Sequence, residues 1–292
     1  MPGSPLSSPI ARPAAAWLPT NMRAESSSAA PAEAGIESVI GRIPHRVALA
    51  GGWIDQPFVS SRNPSPPGSM VVVGLEPDRW FMERAGMASG TRKVALQQWS
   101  GALPNRPREE LVRELYRAEN EGRDEPSGSQ DMIGLIYPGV NRLDYDAAFE
   151  GGFFPAHIES NCDPAIARWL ERVLQFVPVN QRPEGYHPLG VKNLSPEWIG
   201  RLGQTGRDCY SAIIRRDAAA LGASMNSCMA CWETILPHTV SHPTIHIDLK
   251  ALLANFQDRY PGAMYSGCGG GFLVVVAEED VPGAFRVRVR TE

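Results

Sequence analysis

The chain has 292 residues, 43% of them hydrophobic and 21% charged, with a formal net charge of −4. That length suits one large domain or two smaller ones, and the acidic balance lacks the basic footprint of a nucleic-acid binder. No apolar run approaches the roughly 20 residues needed to span a bilayer, so neither nucleic acid nor membrane is an expected partner. The five cysteines (Cys162, Cys209, Cys228, Cys231, Cys268) are odd in number and scattered. This argues against a disulfide framework and fits a reducing, cytoplasmic setting.

Residues 1–36 are rich in Ala, Ser and Pro without a periodic apolar pattern, and read as a disordered extension. Arg12 and Arg23 precede the first acid, Glu25. A transit peptide and a true start at Met22 both stay open. Val47–Ala50 reads as a strand ending in Gly51-Gly52, and 56–69 as a Pro/Ser/Gly-rich loop. Met70–Leu75 is a β-branched strand, with Trp80–Glu83 continuing the sheet. Thr91–Trp99 and Pro107–Asn120 read as helices, the second with an apolar stripe at Leu111, Leu115 and Ala118. Asp131–Tyr137 reads as a helix, and Val140–Tyr145 and Ala156–Glu159 as strands. Pro164–Gln175 is a helix capped by Asp163. Ser195, Pro196 and Glu197 open a further helix. Residues 207–222 and 224–236 are helical, joined near Gly222. Asp248–Tyr260 is the last helix, and Leu273–Ala277 and Phe285–Val289 are closing strands. Strands and helices do not alternate strictly, so the class is α+β.

Three glycine-rich stretches punctuate this order: Arg46 to Asp55, Gly86 to Arg92, and Ser266 to Gly271 before the apolar run Phe272–Ala277. Between the last two lies Pro126-Ser127-Gly128-Ser129-Gln130-Asp131. Glycine-rich turns bare backbone N–H groups, and a helix start adds partial positive charge, so such turns hold phosphate. Cys228 and Cys231 form a lone C-x-x-C in a helical stretch and read as core residues rather than zinc ligands. His238, His242 and His246 are spaced by four, but Pro237 and Pro243 break any helix that would align them.

Together these motifs resemble the GHMP kinase superfamily, which includes galactokinase, fucokinase, mevalonate kinase and homoserine kinase. The resemblance covers roughly residues 42–290, by motif and order. Ala50-Gly51-Gly52-Trp53-Ile54-Asp55 resembles bacterial fucokinase and heptose-phosphate kinase more than galactokinase, which has Gly-Glu-His there. Ala118-Glu119 followed by Pro126-Ser127-Gly128 and Asp131 is similar to a galactokinase segment. Leu221-Gly222 with Met225-Asn226 resembles the C-terminal helices, and Gly262-Ala263 with Ser266–Leu273 resembles the third motif.

The resemblance implies a two-lobed fold with mixed sheets, packed helices and an active site between the lobes. The domains would be 37–150 and 151–292. It implies an ATP- and Mg2+-dependent kinase acting on a sugar or sugar phosphate hydroxyl. Asp131 would be base or orienter, with Arg46 beside it. Otherwise Asp131 caps a helix and Arg46 forms a surface pair. Gly86, Met87, Ala88, Ser89, Gly90 and Thr91 would wrap the triphosphate, with Arg92 as a phosphate ligand. Ser89 and Glu119 would supply oxygen to the metal; alternatively Glu119 lies on a solvated helix face. Asp55 and Gly52 would meet the substrate. Trp53 would stack on a sugar ring or sit in the core. Gly267, Gly269 and Gly270 would let backbone approach the substrate. Gly86 follows Asp55 by only 31 positions, fewer than in galactokinase. Ala88 and Gly90 depart from the usual second motif, and Met264-Tyr265 stands where a lysine is common. These departures motivate the alternative of a non-catalytic homologue that binds sugar or nucleotide.

Overall fold

A computed structural model of the chain describes residues 41–81 and 86–292. The extension 1–36, with its possible targeting segment, lies outside the described residues. Two antiparallel sheets carry the fold. The first has the order β1 (His45–Ala48), β2 (Gly68–Leu75), β3 (Val140–Tyr145), β4 (His157–Asn161). The second has the order β5 (Leu174–Pro178), β7 (Phe272–Val276), β6 (Gly262–Tyr265).

Every residue of β2 is buried, which requires cover on both faces of its sheet. Helix α4 (Gln130–Ile136) packs on β1 and β2, and the long α6 (Pro196–Arg215) packs on β2 and β3. Glycine sets the second distance. A Cβ on Gly206 would stand 2.0 Å from the Ser69 carbonyl oxygen, so α6 touches the backbone of β2. Helix α7 (Ala218–Ile235) packs on α6 and β6. The short α1 (Pro57–Ser60) interrupts the first loop, and α2 (Ser89–Trp99) and α3 (Arg108–Asn120) precede α4. Helices α5 (Pro164–Val173) and α8 (Leu249–Arg259) open on Asp163 and Asp248, each accepting a backbone N–H in its first turn.

Several sequence expectations are corrected. Arg79–Phe81 is a 3-10 turn rather than strand, and the rest of that segment, through Glu83, lies outside the described residues. The helix from Pro164 stops at Val173, because Leu174–Gln175 already pairs with β7 in β5. The helix from Pro196 runs unbroken to Arg215, and the break falls at Arg216, with φ 56°, and the cap Asp217. Gly222 lies inside α7, where a Cβ would be 2.2 Å from the Pro261 carbonyl oxygen. It is a close-packing residue rather than a joint. Gly262–Tyr265 is an additional strand. Phe285–Val289 makes only isolated bridges, Phe285 to Phe176 and Val289 to Leu75. Cys228 and Cys231 are fully buried in the core, and the Cys228 sulfur accepts the Gly51 N–H. Among the described residues no helix is long and apolar enough to cross a membrane.

Candidate active site

Strand β1 ends in a turn in which Gly51 (φ 91°) and Trp53 (φ 80°) take left-handed backbone. A Cβ on Gly51 would lie 2.2 Å from the Ser69 carbonyl oxygen, so only glycine fits there. The turn is fixed from α7: Trp232 Nε1 donates to the Gly52 carbonyl at 3.0 Å, and its ring meets Trp53 edge to face.

Asp131 is the second residue of α4, where the helix dipole favours negative charge. Arg46 of β1 reaches it. Arg46 Nε donates to Asp131 Oδ1 at 2.9 Å, and a terminal nitrogen donates to the same oxygen. The arginine stem crosses α4 at Gly134, where a Cβ would come within 2.8 Å of Arg46 Cβ. Thr91 Oγ1 donates to Asp131 Oδ2 at 3.3 Å. The Asp131 carboxylate is therefore held on both oxygens by β1 and α2.

Behind it lies Asp55, fully buried and bonded to Gln56 and Gln130. Burial first, and then the neighbouring Asp131 charge, raise its pKa from 3.8 to about 7. Gly128 makes room for it: a Cβ there would sit 2.3 Å from both the carbonyl oxygen and Oδ2 of Asp55.

The second glycine motif forms the start of α2. Gly86, Met87 and Ala88 all have positive φ. The Ser89 N–H bonds the Gly86 carbonyl and the Arg92 N–H bonds the Ala88 carbonyl. The Gly90 and Thr91 amides are left without a backbone acceptor among the described residues, as at any helix start. Nothing lies within 4 Å of the Cβ position of Gly90. The third motif meets the second, since a Cβ on Gly86 would be 2.7 Å from the Ser266 carbonyl oxygen.

These elements line a cleft of about 660 Å³, ample for a small ligand. Of the residues expected from sequence, Arg46, Gly52, Trp53, Gly86, Ala88, Ser89, Gly90, Thr91, Glu119, Asp131 and Gly267 line it. Five others do not. Asp55 is a layer behind. Met87 is buried, its sulfur accepting the Ser266 hydroxyl. Arg92 is turned inward, its Nε donating to the Ile43 carbonyl. Gly269 packs on Tyr186 and Gly270 on Asn180. Glu119 is held at the cleft by α3. Its Oε1 lies 3.6 Å from Arg123, while its Oε2 is buried with no hydrogen-bond partner. Burial raises its pKa. Sequence reading missed Trp232, Arg182 and Lys192, which also line the cleft. No motif marks them.

No protein-family model matches the chain, and no curated protein matches it. Solved structures do. A mevalonate kinase is similar with a TM-score of 0.55 at 11% identity, over 86% of this chain and 99% of that one. The fold is that of the GHMP kinases. The same GHMP kinase fold recurs in Lactococcus lactis galactokinase complexed with galactose, with a TM-score of 0.53 at 13% identity, over 85% and 92% of the two chains. It recurs again in L. major mevalonate kinase in complex with R-mevalonate, at 0.50 and 13%, over 86% and 96%.

Proposed function

We propose that this protein is an ATP-dependent phosphotransferase whose acceptor is a hydroxyl of a sugar or sugar phosphate. The observation that carries the reading is the Asp131 carboxylate, gripped by Arg46 and Thr91 and facing a cleft beside an open helix start. A small-molecule kinase needs these groups together, because phosphoryl transfer is mostly positioning and charge stabilisation. The similar structures with mevalonate kinase and galactokinase activity in their names support the reaction class.

In this reading the donor phosphates lie over the Gly90 and Thr91 amides, where a side chain would otherwise intrude. Asp131 orients the acceptor hydroxyl and takes its proton as the oxygen–phosphorus bond forms and the bond to ADP breaks. Arg46 holds that carboxylate in place and lies near the charge that develops. Asp55 sets Gln130 from behind, and Trp53 with Gly52 forms the acceptor wall. Mg2+, when bound, neutralises phosphate charge. Ser89 Oγ and Glu119 are the residues that would hold it. The unpartnered Glu119 Oε2 fits that part, since Mg2+ takes one or two carboxylates and completes its shell with phosphate and water.

A thermal-shift titration tests the reading: Mg2+-ATP alone, then beside a panel of sugars and sugar phosphates. Ligands that bind the folded state raise the melting temperature. Shifts with both ATP and one acceptor class support a kinase. A shift with acceptor and none with any nucleotide sinks the kinase reading. It would favour the non-catalytic homologue, which the inward turn of Arg92 also favours.

A further inference from the structure

The cleft contains four cations, two of them paired with carboxylates and two not. Arg46 is taken by Asp131 and Arg123 by Glu119. Lys192 rests its ammonium over the Phe58 ring, 4.4 Å from its centre. Arg182 is fixed without being neutralised. Its Nε donates to the Cys268 carbonyl at 3.1 Å, and its guanidinium lies over the Tyr186 ring. Among the described residues no carboxylate pairs with it. The cleft's acids (Glu119, Asp124, Glu125 and Asp131) all come from α3, α4 and the loop between them, whereas Arg182 comes from the segment joining β5 to α6.

That segment is pinned where Arg182 leaves it. The Gly271 N–H bonds the Asn180 carbonyl, the Asn180 side chain donates to the Gly269 carbonyl, and the Tyr186 hydroxyl donates to the His238 carbonyl. Gly269 and Gly270 are glycine because Tyr186 and Asn180 occupy the space of their side chains. The third glycine motif thus works largely as a seat for this segment. On that seat a terminal nitrogen of Arg182 lies 3.6 Å from the Cβ position of Gly267, and Gly267 abuts Gly86 of the second motif.

We infer that Arg182 is a phosphate ligand of this cleft, presenting its free N–H groups where the second and third glycine motifs meet. The inference deepens the kinase reading and rests on the same cleft. It places the phosphate-binding arginine on a distant segment instead of at Arg92. A guanidinium held by its Nε and stacked on a ring keeps its terminal donors pre-aimed, which suits bidentate phosphate binding. The phosphate has two sources, the triphosphate of the donor or a phosphate already on the acceptor.

The test is equilibrium binding by calorimetry to full-length wild type, Arg182→Gln and Arg182→Lys, with melting temperatures as folding controls. The probes are Mg2+-ATP, adenosine, a sugar phosphate and the matching free sugar. Arg182→Gln is expected to weaken a phosphate-bearing probe roughly tenfold to a hundredfold, as for loss of charged hydrogen bonds. Its unphosphorylated counterpart should be unaffected, and Arg182→Lys should recover part of the loss. Loss for ATP assigns the donor phosphates; loss for the sugar phosphate assigns the acceptor's. Equal affinity of wild type and Arg182→Gln for both phosphate probes, with folding intact, overturns the inference. So does wild type that binds neither. Phosphate binding that depends on Arg182 in a protein with no transferase activity would instead sink the kinase reading and leave this one standing.

Discussion

The stem of Arg46 lies in a notch on α4 that exists because residue 134 is glycine. Glycine normally weakens a helix by about 1 kcal/mol relative to alanine, so Gly134→Ala would ordinarily stabilise. Here the added methyl would stand 2.8 Å from Arg46 Cβ, and the arginine is anchored at its far end on Asp131. The sign therefore reverses. We expect Gly134→Ala to destabilise the protein by about 1–3 kcal/mol, the usual range for overpacking, and to lower turnover. Chemical denaturation measures the first effect; an unchanged or raised midpoint contradicts the notch.

Asp55 supplies a pH signature. Its pKa in the folded protein is about 7 against an ordinary 3.8. Between those values the folded protein keeps a proton that the unfolded chain has released. Stability contributed by this group therefore falls as pH rises through the window, by at most about 1.4 kcal/mol per pH unit, and levels off above it. Asp55→Asn cannot titrate and should lose that slope. Denaturation midpoints of both proteins across the window check this, and parallel profiles would exclude the raised pKa.

Much of this architecture is legible in the sequence. Met70–Leu75 is apolar with three consecutive valines, and it forms most of a buried inner strand. The Asp163 cap and the glycine motifs are also readable, because helix caps and positive φ demand particular residues. What escapes is decided by tertiary contact. The mostly apolar run Val173–Val177, interrupted by Gln175, satisfies helix and strand equally until β7 pairs with it. Gly222 reads as a joint because its partner, Pro261, is far along the chain. At the site, adjacency to the second glycine motif suggests Arg92 as a ligand, but helical geometry turns it toward Ile43. Arg182 and Trp232 reach the cleft from elements that no local pattern connects to it.

Trp232 fixes the β1 turn from across the molecule. Trp232→Phe keeps the ring contact with Trp53 but removes the donor to the Gly52 carbonyl. Leaving a buried acceptor without a partner costs about 1–3 kcal/mol, so the melting temperature should fall. Acceptor affinity should fall with it, read as a raised KM. A variant with wild-type stability would show that the turn holds itself.

Glu119 tests the metal assignment. Glu119→Gln keeps the shape of the side chain and removes the charge that a cation would meet. We expect the Mg2+ concentration for half-maximal ATP binding to rise roughly tenfold, with ATP affinity in the absence of metal unchanged. Identical Mg2+ dependence in variant and wild type would remove Glu119 from the site.

The most direct test follows phosphoryl transfer itself, using γ-labelled ATP and a panel of sugars and sugar phosphates, with wild type beside Asp131→Asn. The amide is isosteric: its oxygen still accepts from Arg46, and its NH2 donates to the Thr91 hydroxyl where the carboxylate accepted from it, so folding should be retained. We predict labelled product from wild type with at least one acceptor, and a loss of at least about a hundredfold in Asp131→Asn, the lower range for removing a general base. Transfer at an undiminished rate in the variant, or no transfer by wild type to any acceptor, would contradict a kinase built on Asp131.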